Sequence, residues 1–568
     1  EETVKAALLG IERKRQVAAQ VDAWAVELAS GTCPPPVREQ LYRILFKPDK
    51  NAPEYRAVVD AARRTALAPL ELLKRAGAID SPYEFHWRRF LFEEFPKGVA
   101  FPAVTVPALK DELTLSPARA FSIDDSQTTE IDDALSVQGL GTGQVVVGIH
   151  IAAPALAVAP GSAIDDVARS RLSTVYMPGH KLTMLPGEVV DAFTLAEGRD
   201  AAVVSLYVTL DASTLATLSS ETRVERVHIA ANLRHDVLEA EVNAASLAAG
   251  LPDALPFAAE LGFLHRLAGH LKAGREVVRG KPENFNRPDY AFHIGADDGA
   301  AIRGNETVRI TPRQRGSPLD LIVAETMILA NSTWGGWLAA CGVPGIYRGQ
   351  ASMAPGVKVR MGTRPMPHAG MGVAQYTWAT SPLRRYVDLV NQWQLVACAR
   401  FGTTAALAAP FKPKDVSLLS VIADFDASYG AYNAFQAQIE RYWALQYLMQ
   451  NGIGELNATV MKDGLVRADD LPLVFRAVGA EQVGRGTAVR VRVGAADLLT
   501  LDLAASVIAR IDAAPDDGGG TGLAEDAVDG ENDGDDAAGA GPLTLAIDVA
   551  AEPEAEDASR PVAEVAQE

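Results

Sequence analysis

The chain has 568 residues, of which 48% are hydrophobic and 22% charged, with a formal net charge of −19 and three cysteines. That balance suits a multidomain globular protein with room for a sizeable core. Cys33, Cys341 and Cys398 stand far apart and form no CxxC pair, which excludes a disulfide framework and a thiolate zinc site. No apolar run approaches the roughly 18 residues that span a bilayer, and the opening Glu1-Glu2 lacks the order of a signal peptide. The expectations are therefore no membrane and a reducing, cytoplasmic setting.

Residues 1–98 read as helical. VAAQVDAWAVELAS and VREQLYRILF place apolar residues three and four apart, with PPP at 34–36 between them. YRAVVDAARRTAL and LELLKRAG follow, the latter with a stop at Gly77. The basic, aromatic FHWRRF after them leaves two readings open, a winged-helix or helix-turn-helix module and a plain helical packing domain. Over 99–452 strands appear (AFSID, QVVVGIHIAA, AAVVSLYVTLD) and then helices, at about 226–275, 317–341, 382–400 and 415–450, mixed without βαβ alternation. An α+β domain is expected there, and the whole chain reads as α+β and multidomain. Residues 453–511 suggest four or five short strands of a small OB-type barrel, with the arginines of VRVRV on one strand face. From Asp512 to Glu568 the chain carries 17 acids and one base, Arg560, so this stretch holds −16 of the charge and leaves −3 to the rest. With few aromatics and many Gly and Ala it reads as a disordered acidic tail; for its apolar patch LTLAIDVA (543–550) docking on the fold is the alternative, and a solvated tail is the favoured reading.

The chemistry concentrates in SIDDSQTTEIDDALS, where Asp124, Asp125, Glu130, Asp132 and Asp133 fall within ten residues after a β-type run. Apolar flanks draw these acids toward the fold, where their mutual repulsion favours a bound cation. Oxygen donors without His or Cys suit Mg²⁺ or Mn²⁺. On residue types alone three readings stay open: metal-assisted phosphoryl chemistry, a Ca²⁺-stabilised loop, and a plain acidic loop. The spacing excludes an EF-hand.

The segment also resembles the active-site stretch of the RNase II/RNase R family, the RNB-domain exoribonucleases, with their D-x5-D-x-D-D pattern. Three further stretches agree in order: GIHIAA with SAIDDVARSRLSTVYMPGHKLTMLP, LIVAETMILAN, and YTWATSPLRRYVDLVNQ. The resemblance covers about 100–450, and 455–511 looks like the S1 domain that ends these enzymes, while helices stand where cold-shock domains are usual. It implies a processive, Mg²⁺-dependent (Mn²⁺ as alternative) hydrolytic exoribonuclease acting 3′ to 5′ on single-stranded RNA and releasing nucleoside 5′-monophosphates. By the same resemblance Asp124, Glu130, Asp132 and Asp133 hold the metal, with Glu130 where the family has Asp. Asp132 and Arg384 carry the chemistry. Tyr176, Phe285, Arg384 and Glu440 contact substrate. Other departures are Ala324 beside Glu325, His235 for a Tyr, and Ala153 for an Asp. They motivate a second reading, an RNB scaffold that binds RNA with weakened turnover. A monomer needs no further assumption.

Overall fold

The computed structural model describes residues 2–110, 112–283, 289–295, 301–313, 316–511, 545–547 and 549. Six helices open the chain: α1 Glu2–Ala29, α2 Pro35–Glu39, α3 Leu41–Phe46, α4 Pro53–Thr65, α5 Pro69–Arg75 and α6 Pro82–Glu94. Proline stands in the first turn of α2, α4, α5 and α6, where its missing N–H costs nothing and its fixed φ starts the helix. Ser81 caps α6 by accepting from the Glu84 amide. Val37, Leu45, Ala57, Val58 and Leu73 form a closed core of their own. No strand lies among the described residues up to Glu94, so this unit is helical there and shows no wing. Helix α6 joins this unit to the rest, because Phe85 faces Tyr42 and Phe46 while Phe90 stacks on Phe435 with ring centroids 3.9 Å apart.

Five strands close into a barrel: β1 Leu115–Asp124, β2 Asp133–Gln138, β3 Gln144–Ala152, β4 Asp200–Asp211 and β5 Thr217–Arg234. Neighbours are antiparallel except at the closure, where β1 runs parallel to β5. The apolar runs seen in sequence are buried on both faces (Phe121, Ile149, Ile151, Val204 and Val227 among them) because helices cover the barrel. These are α7 Ala258–Arg279, α8 Pro318–Ala340, α9 Tyr386–Phe401 and α10 Val416–Gln450. Helix α9 is buried almost throughout, from Tyr386 to Cys398. The mixed α+β expectation holds, and barrel closure is the feature it lacked. No helix among the described residues is long and apolar enough to cross a membrane.

Five more strands, β6 Glu455–Val460, β7 Leu465–Ala468, β8 Val474–Arg476, β9 Ala488–Asp497 and β10 Asp502–Arg510, make an antiparallel sheet in the order β8-β7-β6-β9-β10. Its edges meet only through one parallel bridge between Val478 and Ser506, so the expected barrel is a curled sheet that stops short of a full closing ladder. The VRVRV alternation is as expected: Val489 and Val491 are fully buried, while Arg490 and Arg492 lie outside and pair with Glu455 at 2.8 and 3.7 Å.

The acidic tail lies outside the described residues save for four positions, and these depart from the expectation of a solvated tail. Leu545, Ile547 and Val549 pack on the core of α1–α5, the Ala546 amide donates to the Leu45 carbonyl at 2.8 Å, and Arg63 Nε donates to the Val549 carbonyl at 2.9 Å. Alternate apolar side chains in an extended segment bury one face at little cost, which composition averaged over the tail conceals.

Candidate active site

The acid cluster is the β1–β2 connection. Asp124 ends β1, Asp133 begins β2, and the intervening turn is drawn into the fold at Ile131. The Ile131 amide donates to Thr194 Oγ1 at 2.9 Å, its carbonyl accepts from Leu195 at 3.0 Å, and its side chain is buried. The next carbonyl, of Asp132, accepts from the Ala152 amide at 2.8 Å. The apolar flanks thus act as the sequence suggested. Asp132 is 3% exposed, its Oδ1 accepting from the Leu383 amide at 2.8 Å while Oδ2 has no hydrogen-bond partner. Asp124 Oδ2 is also buried and unpartnered. Burial pushes the Asp132 carboxyl up to about 7, against the pull of Arg384, and raises Asp124 as well.

The TSPLRRY segment brings Arg384 to this point from far along the chain. Its Nε lies 3.4 Å from Asp132 Oδ2, Nη2 donates to Ser381 Oγ at 2.8 Å, and the side chain is 38% exposed. Arg385 does something else. It is buried, donates twice to Asp388 at 2.8 and 3.0 Å, and stacks its guanidinium 4.0 Å from the Trp378 ring centre. Of the two, Arg384 is the one beside the acid cluster and partly exposed.

Tyr176 sits on a short hairpin of Val175–Met177 and His180–Leu182, directly across from Lys181. The residue is 39% exposed and its hydroxyl donates to Glu130 Oε2 at 3.3 Å. Glu130 is therefore brought beside the aspartates, yet both its oxygens are occupied. Oε1 accepts from Thr174 Oγ1 at 3.1 Å, and Oε2 also accepts from Lys181 Nζ at 3.0 Å. Lys181 escaped the sequence reading. The only available signal was the Pro178-Gly179 turn, which sets it opposite Tyr176.

The remaining acids are committed elsewhere. Asp125 meets His235 at 3.5 Å, and Asp320 meets the other ring nitrogen at 2.9 Å. Those two carboxylates raise the imidazole to about 9, with Arg313 beside it working the opposite way. Glu325 is buried against Arg275, which also holds Glu283. Glu440 accepts from Gln436 a turn earlier, and no hydrogen bond or ion pair joins it to the cluster among the described residues. Phe285 lies outside the described residues, and Ala153 is buried at the end of β3.

Buried oxygens without a hydrogen-bond partner on Asp124 and Asp132 are what a hard cation would satisfy. The set is not closed beforehand: among the described residues no three His, Cys, Asp or Glu side chains converge to hold an ion. Asp133 stands next to Asp132 at the start of β2.

Residues 113–361 and 351–400 match the RNB domain family model. An uncharacterized ribonuclease of Synechocystis is 27% identical over 392 residues, covering 64% of this chain and 54% of the relative. The chain thus spans about half the length of the curated relatives it matches. Among solved structures, the Dss1 exoribonuclease of Candida glabrata, an active-site mutant, aligns with a TM-score of 0.62 and 18% identity, covering 89% of this chain and 72% of that one. Mycoplasma genitalium RNase R bound to ribose-methylated single-stranded RNA gives 0.60 and 14%, covering 76% and 78%. The yeast pseudonuclease Ssd1 gives 0.53 and 17%, covering 73% and 58%. At these identities the likeness is one of fold.

Proposed function

The chain belongs to the RNB domain family, and from that premise we propose that it is a hydrolytic exoribonuclease, degrading single-stranded RNA processively from the 3′ end to nucleoside 5′-monophosphates. One observation carries the proposal: buried Asp132 forms an ion pair with the half-exposed guanidinium of Arg384 at 3.4 Å, beside Asp124, whose Oδ2 is buried without a hydrogen-bond partner. A phosphodiester with its metal would bring a cation for the carboxylates and an anion for the guanidinium in exchange for that ion pair.

Asp124, Asp132 and Asp133 would hold Mg²⁺ (Mn²⁺ as alternative), which when bound neutralises phosphate charge and yields a water acidic enough to react at neutral pH. The chain's own residues do the rest. Arg384 donates to the non-bridging oxygens of the scissile phosphate and offsets the charge that builds there. Asp132, buried and paired with Arg384, is the acid we read as contributing to the chemistry beyond holding the metal. Tyr176 offers an exposed ring on which any terminal base can stack, worth about 1–3 kcal/mol per base. Its hydroxyl, held by Glu130, ties that ring to the acid cluster. The curled C-terminal sheet, which we read as S1-like, would guide the strand inward, and a single copy of the chain contains every residue named.

The test uses a 5′-labelled single-stranded RNA of about 30 nucleotides, an ssRNA length several OB-type sites long, with Mg²⁺, Mn²⁺ or EDTA and with Asp132→Asn in parallel. Metal-dependent accumulation of a short 5′-labelled product, absent in the variant, is the expected result. Shortening of a 3′-labelled strand from its 5′ end would reverse the polarity. A second reading, RNA binding with little turnover, is favoured by the engagement of both Glu130 oxygens and supported by the likeness to Ssd1. It predicts tight retention of the same RNA without shortening in either metal.

A further inference from the structure

Glu130 and Lys181 form an ion pair that joins the acid cluster to the substrate-facing hairpin. The Glu130 side chain is 2% exposed and the Lys181 side chain 33% exposed, with Nζ 3.0 Å from Oε2. Nζ is held from a second side by Thr129 Oγ1 at 2.7 Å, and the cross-strand register of the hairpin sets Lys181 opposite Tyr176. Thr174 Oγ1 closes the other oxygen of Glu130 at 3.1 Å. A buried carboxylate with three donors around it has its charge and its hydrogen bonds satisfied without any metal. Asp124 Oδ2 and Asp132 Oδ2, in the same cluster, have no hydrogen-bond partner.

We propose that Lys181 is a built-in cation of this site: its ammonium compensates Glu130 where a second divalent ion would otherwise stand, leaving Asp124, Asp132 and Asp133 to hold a single ion. The inference rests on the metal-holding reading of the aspartates given above. Two-metal sites need their ions about 3.5–4 Å apart with shared carboxylates between them. An ammonium on one of the four acids blocks that arrangement by charge repulsion and by using up the ligand. Glu130 then becomes a positioning residue. It holds the Tyr176 hydroxyl and the lysine, and so fixes the hairpin on which the terminal base stacks. The longer Glu side chain is what lets a carboxylate on the β1–β2 turn meet donors on the hairpin.

The experiment counts Mn²⁺ bound to the full chain without RNA, by electron paramagnetic resonance of the free ion, with thermal unfolding as a control for folding. Wild type is expected to take up one Mn²⁺, and Asp132→Asn to weaken it by about tenfold or more. Lys181→Met or Lys181→Gln, either of which removes the charge, is expected to add a second Mn²⁺ or tighten binding by about tenfold. Lys181→Arg keeps the charge and should keep the wild-type stoichiometry. Glu130→Gln should leave the affinity for the single ion within about threefold, a change of well under 1 kcal/mol. Two ions on wild type, or charge-removing variants that fold and bind as wild type does, would overturn the proposal while leaving the exoribonuclease reading intact. No uptake by wild type at all would overturn both.

Discussion

Two adjacent arginines with the same side chain end in different surroundings, and what each can reach decides its use. Arg385 points into the core toward Asp388 and Trp378, so Arg385→Ala is expected to leave Asp388 buried and uncompensated and to cost about 3–5 kcal/mol of stability, read as a lowered denaturation midpoint. Arg384 points to Asp132 and solvent. Arg384→Ala is expected to leave the unfolding midpoint close to wild type and to lower single-turnover RNA cleavage by about 10²–10³-fold. A third residue reports through pH. His150 is fully buried between Ser136 Oγ and Ser205 Oγ, both at 2.8 Å, and burial lowers it to about 3. The unfolded chain takes up a proton near pH 6.5 that the fold refuses, so stability falls as pH drops from about 6.5 toward 3. In His150→Gln that part of the acid loss should shrink, as measured by urea unfolding at pH 7 and pH 5.

Strands β1, β3 and β4 were legible from their apolar runs and the N-terminal helices from their three-and-four spacing. Residues 226–234, expected to begin a helix, are instead the end of β5, where polar and apolar residues alternate. Closure was not legible either. The parallel pairing of β1 with β5 joins residues about 110 positions apart, such as Ser122 with Asn232, and no local pattern records it. Gly148 shows how tight the closed interior is, since a Cβ there would meet Ser136 Oγ and the His150 ring. Gly148→Ala is expected to destabilise by about 1–3 kcal/mol through overpacking, seen as a lower thermal midpoint. The segment at 545–549 was read as solvated for the same reason of scale. Its five residues are apolar at alternate positions, but they lie in a stretch whose average composition is acidic. Ile547→Asp should cost about 1 kcal/mol at that docking site and lower the protection of α3 and α4 amides from hydrogen exchange.

Across the molecule, the site is assembled from three distant stretches: the β1–β2 turn, the 174–182 hairpin and the 381–385 loop before α9. Each was visible in sequence as a motif, and Asp124, Asp132, Tyr176 and Arg384 do come together. Their neighbourly choices were invisible. That Asp125 pairs with His235, Glu325 with Arg275, and Glu130 with Lys181 depends on which elements pack beside them, because an unpaired buried charge takes whatever partner the fold brings within reach. Amino-acid order by itself determined the N-terminal helices and strands β1, β3 and β4, the acid cluster's burial through its apolar flanks, and the oxygen-only donor set, since these follow from spacing and side-chain chemistry within a few residues. Barrel closure, the division of labour between Arg384 and Arg385, and the capture of Glu130 by the hairpin were decided only in three dimensions, where contacts between residues tens to hundreds of positions apart set each side chain's charge, partners and access to solvent.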